Sequence, residues 1–169
     1  MARRADASAG TPATVALARA GVAFSTHAYD HDPRAAAYGL EAAEKLGLDP
    51  ARVFKTLLAN VDGELAVAIV PVALQLDLKT LAHALGGKRA EMADPALAAR
   101  RTGYVVGGIS PIGQKTALPT VLDESAILHE RIYVSGGRRG LDLGIAPDDL
   151  LAVTGGQFAA IARSRASSG

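Results

Sequence analysis

Two β-prone runs joined by Asp62-Gly63 are the feature that most constrains the fold. Strand-favouring residues extend from Val53 to Val70 on both sides of this pair, a pattern typical of a tight β-hairpin. Because strand side chains alternate between two faces, Lys55 shares its face with apolar neighbours such as Leu57. Lysine is rarely buried without a partner, so this position needs an explanation. The pattern predicts a sheet with a cation on the apolar face of an inner strand.

The rest of the chain alternates helical and extended patterns. Caps and periodicity predict helices at 12–20, 35–46, 78–85, 95–102, 147–153 and 157–163, and β-prone runs predict further strands at 22–29, 120–123, 131–134 and 141–145. This order favours a single α+β (mixed α/β) domain, with a largely antiparallel mixed sheet or partial barrel surrounded by helices. We expect the domain at 11–163, a loosely ordered tail at 1–10 and a frayed end at 164–169.

Composition argues against a membrane-spanning, secreted or DNA-binding protein. The 169 residues are enough to bury a sizeable core, and no apolar run approaches the ~20 residues of a membrane span. No apolar segment follows Arg3 and Arg4, so a secretory signal is not expected. The absence of cysteine is consistent with a cytoplasmic protein. With 18 basic and 17 acidic residues, the chain is not expected to bind DNA through a strong basic excess.

Two glycine-rich segments are candidates for a binding pocket together with Lys55. They are Gly107-Gly108-Ile109-Ser110-Pro111, and Ser135-Gly136-Gly137 followed by Asp142. Backbone N–H groups of such loops can approach an anion or a polarised carbonyl closely. Each feature also has an ordinary explanation: a lysine whose ammonium reaches solvent, a wide structural turn and a simple hairpin loop.

The sequence gives only weak signals for a metal site or for a catalytic nucleophile. His27 and His31 are four residues apart, but the segment between them is extended or turn-like, so neither a metal nor a cofactor is predicted. No Ser–His–Asp order and no pair of catalytic carboxylates stands out. The sequence therefore suggests no nucleophile supplied by the protein itself.

Short motifs occur in order from about Thr11 to Arg163. They are His27-Ala28-Tyr29-Asp30-His31-Asp32-Pro33, Val53-Phe54-Lys55-Thr56-Leu57-Leu58, Pro71-Val72, Gln75-Leu76-Asp77-Leu78-Lys79, Glu91-Met92-Ala93-Asp94-Pro95, Thr102-Gly103-Tyr104, Val106-Gly107-Gly108-Ile109-Ser110-Pro111, Gly113-Gln114-Lys115, and Tyr133-Val134-Ser135-Gly136-Gly137 leading to Arg139-Gly140-Leu141-Asp142. Together they resemble the YbaK/EbsC family of aminoacyl-tRNA deacylases.

The resemblance implies a fold like that of the editing domain inserted in bacterial prolyl-tRNA synthetases. It implies a free-standing enzyme that hydrolyses the ester between a wrongly attached cysteine and the 3′ end of proline tRNA. In the mechanism proposed for the family, the thiol of the substrate attacks its own ester carbonyl. The implied partners are the acceptor end of proline tRNA and, transiently, prolyl-tRNA synthetase.

Matched motif by motif, the resemblance also implies site residues. The catalytic set would be Lys55, Gly107, Asp142 and Tyr29. The substrate-binding set would be Thr56, Gly108, Ile109, Ser110, Pro111, Ser135, Gly136 and Gly137. Two alternatives stay open: a deacylase of alanyl- or seryl-tRNA that activates a water, and a non-catalytic module that binds an aminoacyl-adenylate or the synthetase.

Overall fold

The computed structural model describes residues 10–35 and 37–164, which form a mixed α+β fold, as predicted. In chain order the elements are α1 Pro12–Ala20, β1 Ser25–Ala28, α2 Tyr38–Leu46, β2 Phe54–Val61, β3 Glu64–Pro71, β4 Gln75–Leu76, α3 Leu78–Ala84, β5 Ala90–Met92, α4 Pro95–Thr102, β6 Thr120–Asp123, a 3₁₀ helix Glu124–Leu128, β7 Ile132–Arg138, β8 Leu141–Ile145, α5 Pro147–Thr154, β9 Gln157–Ala159 and β10 Ala162–Arg163. Most of the predicted tail and the last five residues lie outside the described part. Within that part, no helix has both the length and the apolar character needed to cross a bilayer.

The predicted hairpin is confirmed as β2 and β3. These strands pair antiparallel from Val61↔Glu64 to Phe54↔Pro71. Asp62 and Gly63 both have positive φ, at 51° and 91°, which is the combination that a tight two-residue hairpin turn requires. The Asp62 carboxylate also accepts bonds from the backbone of Lys88 and Arg89, at 2.9 and 3.0 Å. The turn is therefore tied to the start of β5.

Two larger sheets position the site. A five-stranded sheet has the order β5-β2-β3-β6-β9, in which β3–β6 and β6–β9 are parallel and the other pairs antiparallel. An antiparallel three-stranded sheet has the order β1-β8-β7. The two approach each other where Val53, just before β2, bridges Tyr133 of β7. The sheets do not close into a barrel, and a short β4–β10 pair completes the pairing in the described residues.

The alternation of β2 separates two apolar clusters. One cluster contains Phe54 and Leu58 and buried residues of α1, β7, β8 and α5, among them Leu17, Val134, Leu143 and Leu150. The other contains Ala59 and Val61 with Leu81 and Ile161. Burying one leucine-sized side chain contributes roughly 1.5–3 kcal/mol, so both faces of β2 resist displacement. Burial on both faces therefore holds β2, and the residues along its edge, in a defined position.

The predicted helix at 157–163 is wrong. That segment forms β9 and β10, and β9 pairs in parallel with β6 through Val121↔Gln157. The buried carboxylate of Asp123, at the end of β6, accepts hydrogen bonds from the backbone N–H groups of Ile161, just before β10, and of Ala162, its first residue, both at 3.0 Å. Pairing with a distant strand and a buried acceptor outweigh the local helical preference.

Three other boundaries differ from the predictions. Strand β7 continues to Arg138 instead of ending at Val134, so Ser135-Gly136-Gly137 lies within a strand and not in a loop. A register shift between Ser135 and Arg138 accommodates the two glycines as a β-bulge. The second helix begins at Tyr38, later than predicted, and β1 begins at Ser25.

Candidate functional site

A cavity of about 380 Å³ opens along one edge of β2, between the two larger sheets. Its wall is formed by seven stretches of the fold: the residue after β1, the start of α2, the first half of β2 with the residue before it, the residue after β3, the segment from the end of β5 into α4, the loop after α4, and the bulged part of β7 with β8. The lining residues are Tyr29, Ala37, Tyr38, Gly39, Leu40, Val53, Phe54, Lys55, Thr56, Leu57, Leu58, Val72, Met92, Ala93, Pro95, Ala98, Val106, Gly107, Ile109, Ser135, Arg138 and Asp142. Mainly apolar walls with a few polar groups are typical of small-molecule sites.

The predicted meeting of distant segments is present in this cavity. Seven of the residues predicted for the site line it: Tyr29, Lys55, Thr56, Gly107, Ile109, Ser135 and Asp142. They come from the residue after β1, from β2, from the loop after α4, and from β7 and β8. The side chain of Lys55 therefore lies at the same wall as both glycine-rich segments.

Five predicted residues do not line the cavity. Ser110 is fully buried, and its hydroxyl accepts a hydrogen bond from the Ile112 N–H at 3.2 Å. Pro111 faces a second cavity of about 540 Å³ on the other side of its loop. The three glycines Gly108, Gly136 and Gly137 pack against backbone or side chains instead, and a Cβ on any of them would come within 3.0 Å of a neighbour. These five residues support the wall from behind.

The start of α2 covers Lys55. A Cβ on Gly39 would lie 2.3 Å from Val72 Cγ1 and 3.8 Å from Lys55 Cβ, so only glycine allows the helix to pack this closely on the hairpin. Sequence reasoning missed this glycine, although a glycine inside a helical pattern often marks a close approach. It also missed Tyr38 and Arg138, which gave no local signal.

A buried network anchors this helix. His31 Nδ1 lies 2.8 Å from Glu41 Oε1, and the Asp32 N–H donates to Glu41 Oε2 at 2.6 Å. Burial alone would raise the pKa of Glu41, but these hydrogen bonds outweigh it and lower the pKa. Lys45 adds an ion pair to the same carboxylate at 3.6 Å. The loop before α2 is therefore fastened to the helix and holds its first turn over the cavity.

Asp142 is the buried ionisable group of the site. It lies on β8 between His27 of β1 and Ser135 of β7, and it is only 6% exposed. Burial raises its pKa to about 7, so the protonated and ionised forms coexist near neutral pH. Burial and the nearby Asp142 charge likewise raise the pKa of Tyr29 to about 12, and the phenol stays a hydrogen-bond donor.

The loop containing Gly107 lines the cavity with Val106, Gly107 and Ile109. Gly107 has φ of 87°, and a Cβ there would lie 2.9 Å from both Arg139 Nε and Tyr38 Cε2. Arg139 donates to the Val106 carbonyl at 2.9 and 2.5 Å, and its guanidinium lies 5.2 Å from the centre of the Tyr38 ring. Among the described residues, no backbone hydrogen bond uses the N–H of Gly107 or Ile109.

Metal binding finds no support in the geometry. Within residues 10–35 and 37–164, no three His, Asp or Glu side chains are grouped as a metal site requires. His27 Nε2 lies 2.8 Å from Ser25 Oγ, while His31 is hydrogen-bonded to Glu41. The two histidines that the sequence paired are therefore engaged separately.

Comparison with known proteins assigns the family. The model of the aminoacyl-tRNA editing domain matches residues 33–153, which is most of the chain. This chain belongs to the aminoacyl-tRNA editing domain family. All of the cavity-lining residues except Tyr29 lie within the matched range.

Individual relatives agree with that assignment. The chain is 46% identical over 121 residues to EbsC of Enterococcus faecalis, named as a candidate Cys-tRNA(Pro)/Cys-tRNA(Cys) deacylase, covering 70% of this chain and 73% of EbsC. It is 32% identical over 100 residues to the proline–tRNA ligase of Maridesulfovibrio salexigens, covering 59% of this chain but only 17% of the ligase. A solved structure described as a candidate trans-editing enzyme for prolyl-tRNA synthetase matches with a TM-score of 0.79 at 26% identity, over 94% of this chain and 99% of that one.

Proposed function

We propose that this protein is a trans-acting aminoacyl-tRNA deacylase whose substrate is misacylated Cys-tRNA(Pro). The observation that carries the proposal is one cavity lined by Lys55, by the buried Asp142 and by the glycine loop residues Gly107 and Ile109. Membership of the editing-domain family and the identity to EbsC support an aminoacyl ester as the bond that is cleaved. The name of that relative supports cysteine as the amino acid.

The reaction needs no nucleophile from the protein, and the chain contains no cysteine that could supply a thiolate. The thiol of the substrate attacks its own ester carbonyl: a C–S bond forms, the C–O bond to the tRNA breaks, and the proton passes from sulfur to the departing ribose oxygen. Water then opens the resulting thiolactone and releases cysteine. The protein contributes by orienting the reacting atoms and stabilising the oxyanion.

The residues of the cavity divide these tasks. The N–H groups of Gly107 and Ile109 are the proposed donors to the oxyanion, where the loss of one donor typically lowers the rate by roughly 10²–10³. The ammonium group of Lys55 is proposed to hold the terminal adenosine or its phosphate, as a compact cation can. Tyr29 and Asp142 complete the polar wall behind the aminoacyl group. The phenol of Tyr29 stays protonated and donates a hydrogen bond.

The proposed partners are the acceptor end of proline tRNA and, transiently, prolyl-tRNA synthetase. The solved relative described as a trans-editing enzyme for that synthetase supports the second partner. The reaction would occur where tRNA is charged, which is consistent with the predicted cytoplasmic location.

A panel of purified aminoacyl-tRNAs tests the proposal. We expect hydrolysis of Cys-tRNA(Pro) and slow or no hydrolysis of Ser-, Ala- and Pro-tRNA(Pro), because only cysteine carries the internal nucleophile. Equal rates with serine and cysteine would instead favour the alternative that activates a water. Absence of turnover with every member of the panel, together with binding of an aminoacyl-adenylate, would favour the non-catalytic module.

A further inference from the structure

The first half of β2 has an unpaired edge inside the cavity. In an antiparallel pair the residues alternate between exchanging hydrogen bonds with the partner strand and facing away from it. The Val72 N–H donates to Val53 at 2.8 Å, so Lys55 and Leu57 are the next residues bonded to β3. The backbone groups of Thr56 therefore point to the opposite edge.

The strand that would cover this edge turns away before it reaches Thr56. Strand β5 pairs with β2 up to Ala59↔Met92, and the Ala93 N–H still donates to the Leu58 carbonyl at 3.0 Å. Asp94 and Pro95 then begin α4, with the Asp94 carboxylate capping the helix. At the other end of the gap, Tyr133 bridges Val53. In the described residues no strand is paired with Thr56 on this side.

The side chain of Thr56 is unsatisfied as well. Its hydroxyl oxygen is inaccessible to solvent and has no hydrogen-bond partner among the described residues, although the residue lines the cavity. Buried hydroxyl groups in native structures nearly always have a partner, so an exception is expected to have a reason. The backbone donor and acceptor of Thr56 therefore point to the open edge, and its hydroxyl group lies shielded from solvent without a partner in the described residues.

We infer that Thr56 binds the aminoacyl group as if it were one residue of an added β-strand. An aminoacyl ester carries a donor, the α-ammonium group, and an acceptor, the ester carbonyl, with the spacing of one residue. Two bonds are then formed: the ammonium group donates to the Thr56 carbonyl, and the Thr56 N–H donates to the ester carbonyl oxygen. This N–H is a third donor to that oxygen, beside the Gly107 and Ile109 N–H groups proposed to stabilise it as the oxyanion. Opposed residues of such a pair share a face of the sheet. The amino-acid side chain therefore lies beside the Thr56 hydroxyl.

This arrangement makes Thr56 the residue that determines specificity within the proposed function, on which the inference rests. Its backbone recognises any α-aminoacyl ester, whereas its hydroxyl favours a side chain with a polar atom one bond beyond Cβ. Cysteine and serine have such an atom and alanine does not. A site that hydrogen-bonds such a group rejects the analogue that lacks it.

Stable analogues test the inference without turnover. We would measure the binding of 3′-cysteinylamino-, 3′-alanylamino- and 3′-(3-mercaptopropionyl)amino-3′-deoxyadenosine, the last of which lacks the amine. Thr56→Val should weaken binding of the cysteinyl analogue by roughly tenfold and leave the alanyl analogue within about twofold, because one hydrogen bond is lost. Thr56→Ser should restore the preference. The wild-type protein should bind the analogue without the amine at least about tenfold more weakly than the cysteinyl one.

Controls separate this inference from stability and from the proposed function. Thr56→Val removes an unsatisfied hydroxyl at nearly constant shape, so the thermal midpoint should not fall. Thr116→Val, in the second cavity, is the matched control and should change neither affinity. An unchanged cysteinyl-to-alanyl preference in folded Thr56→Val would overturn the inference, as would tight binding of the analogue without the amine. If Cys-tRNA(Pro) is still hydrolysed in either case, the proposed function survives.

Discussion

At the scale of single residues, the site depends on charged groups held where water is scarce. Lys55 is partly buried beneath the start of α2, and Asp142 is buried in the opposite sheet. Ionised groups in such places lose hydration, so each needs compensation from a protein partner, a ligand or a change of protonation. We therefore expect variants of the two residues to affect activity and stability differently.

Replacing Lys55 with alanine should abolish deacylation without unfolding the domain. We expect at least a hundredfold loss of kcat/KM, of the order seen when a preorganised electrostatic contact is removed. The measurement is turnover of Cys-tRNA(Pro) alongside circular dichroism. Lys79→Ala on α3 is the control, since Lys79 does not line the cavity. Activity loss that merely tracked loss of structure would contradict the assigned role.

Asp142 should make the protein less stable as pH rises through neutrality. The folded pKa of about 7 lies above the unfolded value near 3.8, so the folded state binds the extra proton between them. The free energy of unfolding should therefore fall from about pH 4 to about pH 7 and then level off, by up to about 4 kcal/mol. Urea titrations of wild type and Asp142→Asn measure this, and the slope should be lost in the variant. Asp142→Ala should also weaken deacylation.

At the scale of elements, pairing between distant strands decides what short segments become. β9 and β10 follow a stretch with helical character, but β9 is paired with β6 and the chain between them is bonded to Asp123. The bulge in β7 shows the same rule, because two glycines that suggest a loop are carried inside a strand. Turn signals and caps were predicted well where the partners are local, as at Asp77 and Asp94.

Asp123→Ala should loosen the C-terminal strands while leaving the cavity intact. The carboxylate accepts bonds from the backbone of Ser125, Ile161 and Ala162, which would lose their partner inside the protein. We expect a loss of about 3 kcal/mol in unfolding free energy, judged from the cost of unsatisfied buried groups. Asp94→Ala, an exposed helix cap, should cost only about 1 kcal/mol. Equal losses in the two variants, measured by urea titration, would contradict the role given to Asp123.

At the scale of the whole molecule, the charge balance limits how the protein can choose its tRNA. The formal net charge is +1, so long-range attraction to phosphates is weak. If the proposed substrate binds here, the cavity of about 380 Å³ would hold an aminoacyl group with its terminal nucleoside and not a larger part of the tRNA. Under the proposed function, we therefore expect choice among tRNAs to come from a partner.

The isolated protein should hydrolyse several cysteinyl-tRNAs at similar rates. We expect kcat/KM values within about threefold for Cys-tRNA(Pro) and Cys-tRNA(Cys), because both present the same acceptor end, and a preference for the proline tRNA only when prolyl-tRNA synthetase is added. Single-turnover assays with and without the synthetase measure this. Strong intrinsic selection between the two tRNAs would show that the protein reads more than the acceptor end.

The sequence by itself determined the hairpin, most helix boundaries and the placement of Lys55 on an apolar face. These follow from alternation, turn chemistry and caps, which act between residues close in the chain. It also brought Tyr29, Gly107 and Asp142 into consideration through motifs, and the structure gathers them at one wall.

Only the tertiary structure decided which of those residues line the cavity and which stand behind it. Whether Ser110 lies at the wall, or Thr56 has an open edge, depends on where α1, α4 and β5 pack. Those positions are set by the burial of apolar surface from the whole chain. The free energy of apolar burial is non-directional and depends on residues far apart in the chain. It therefore cannot be predicted from any short segment of sequence.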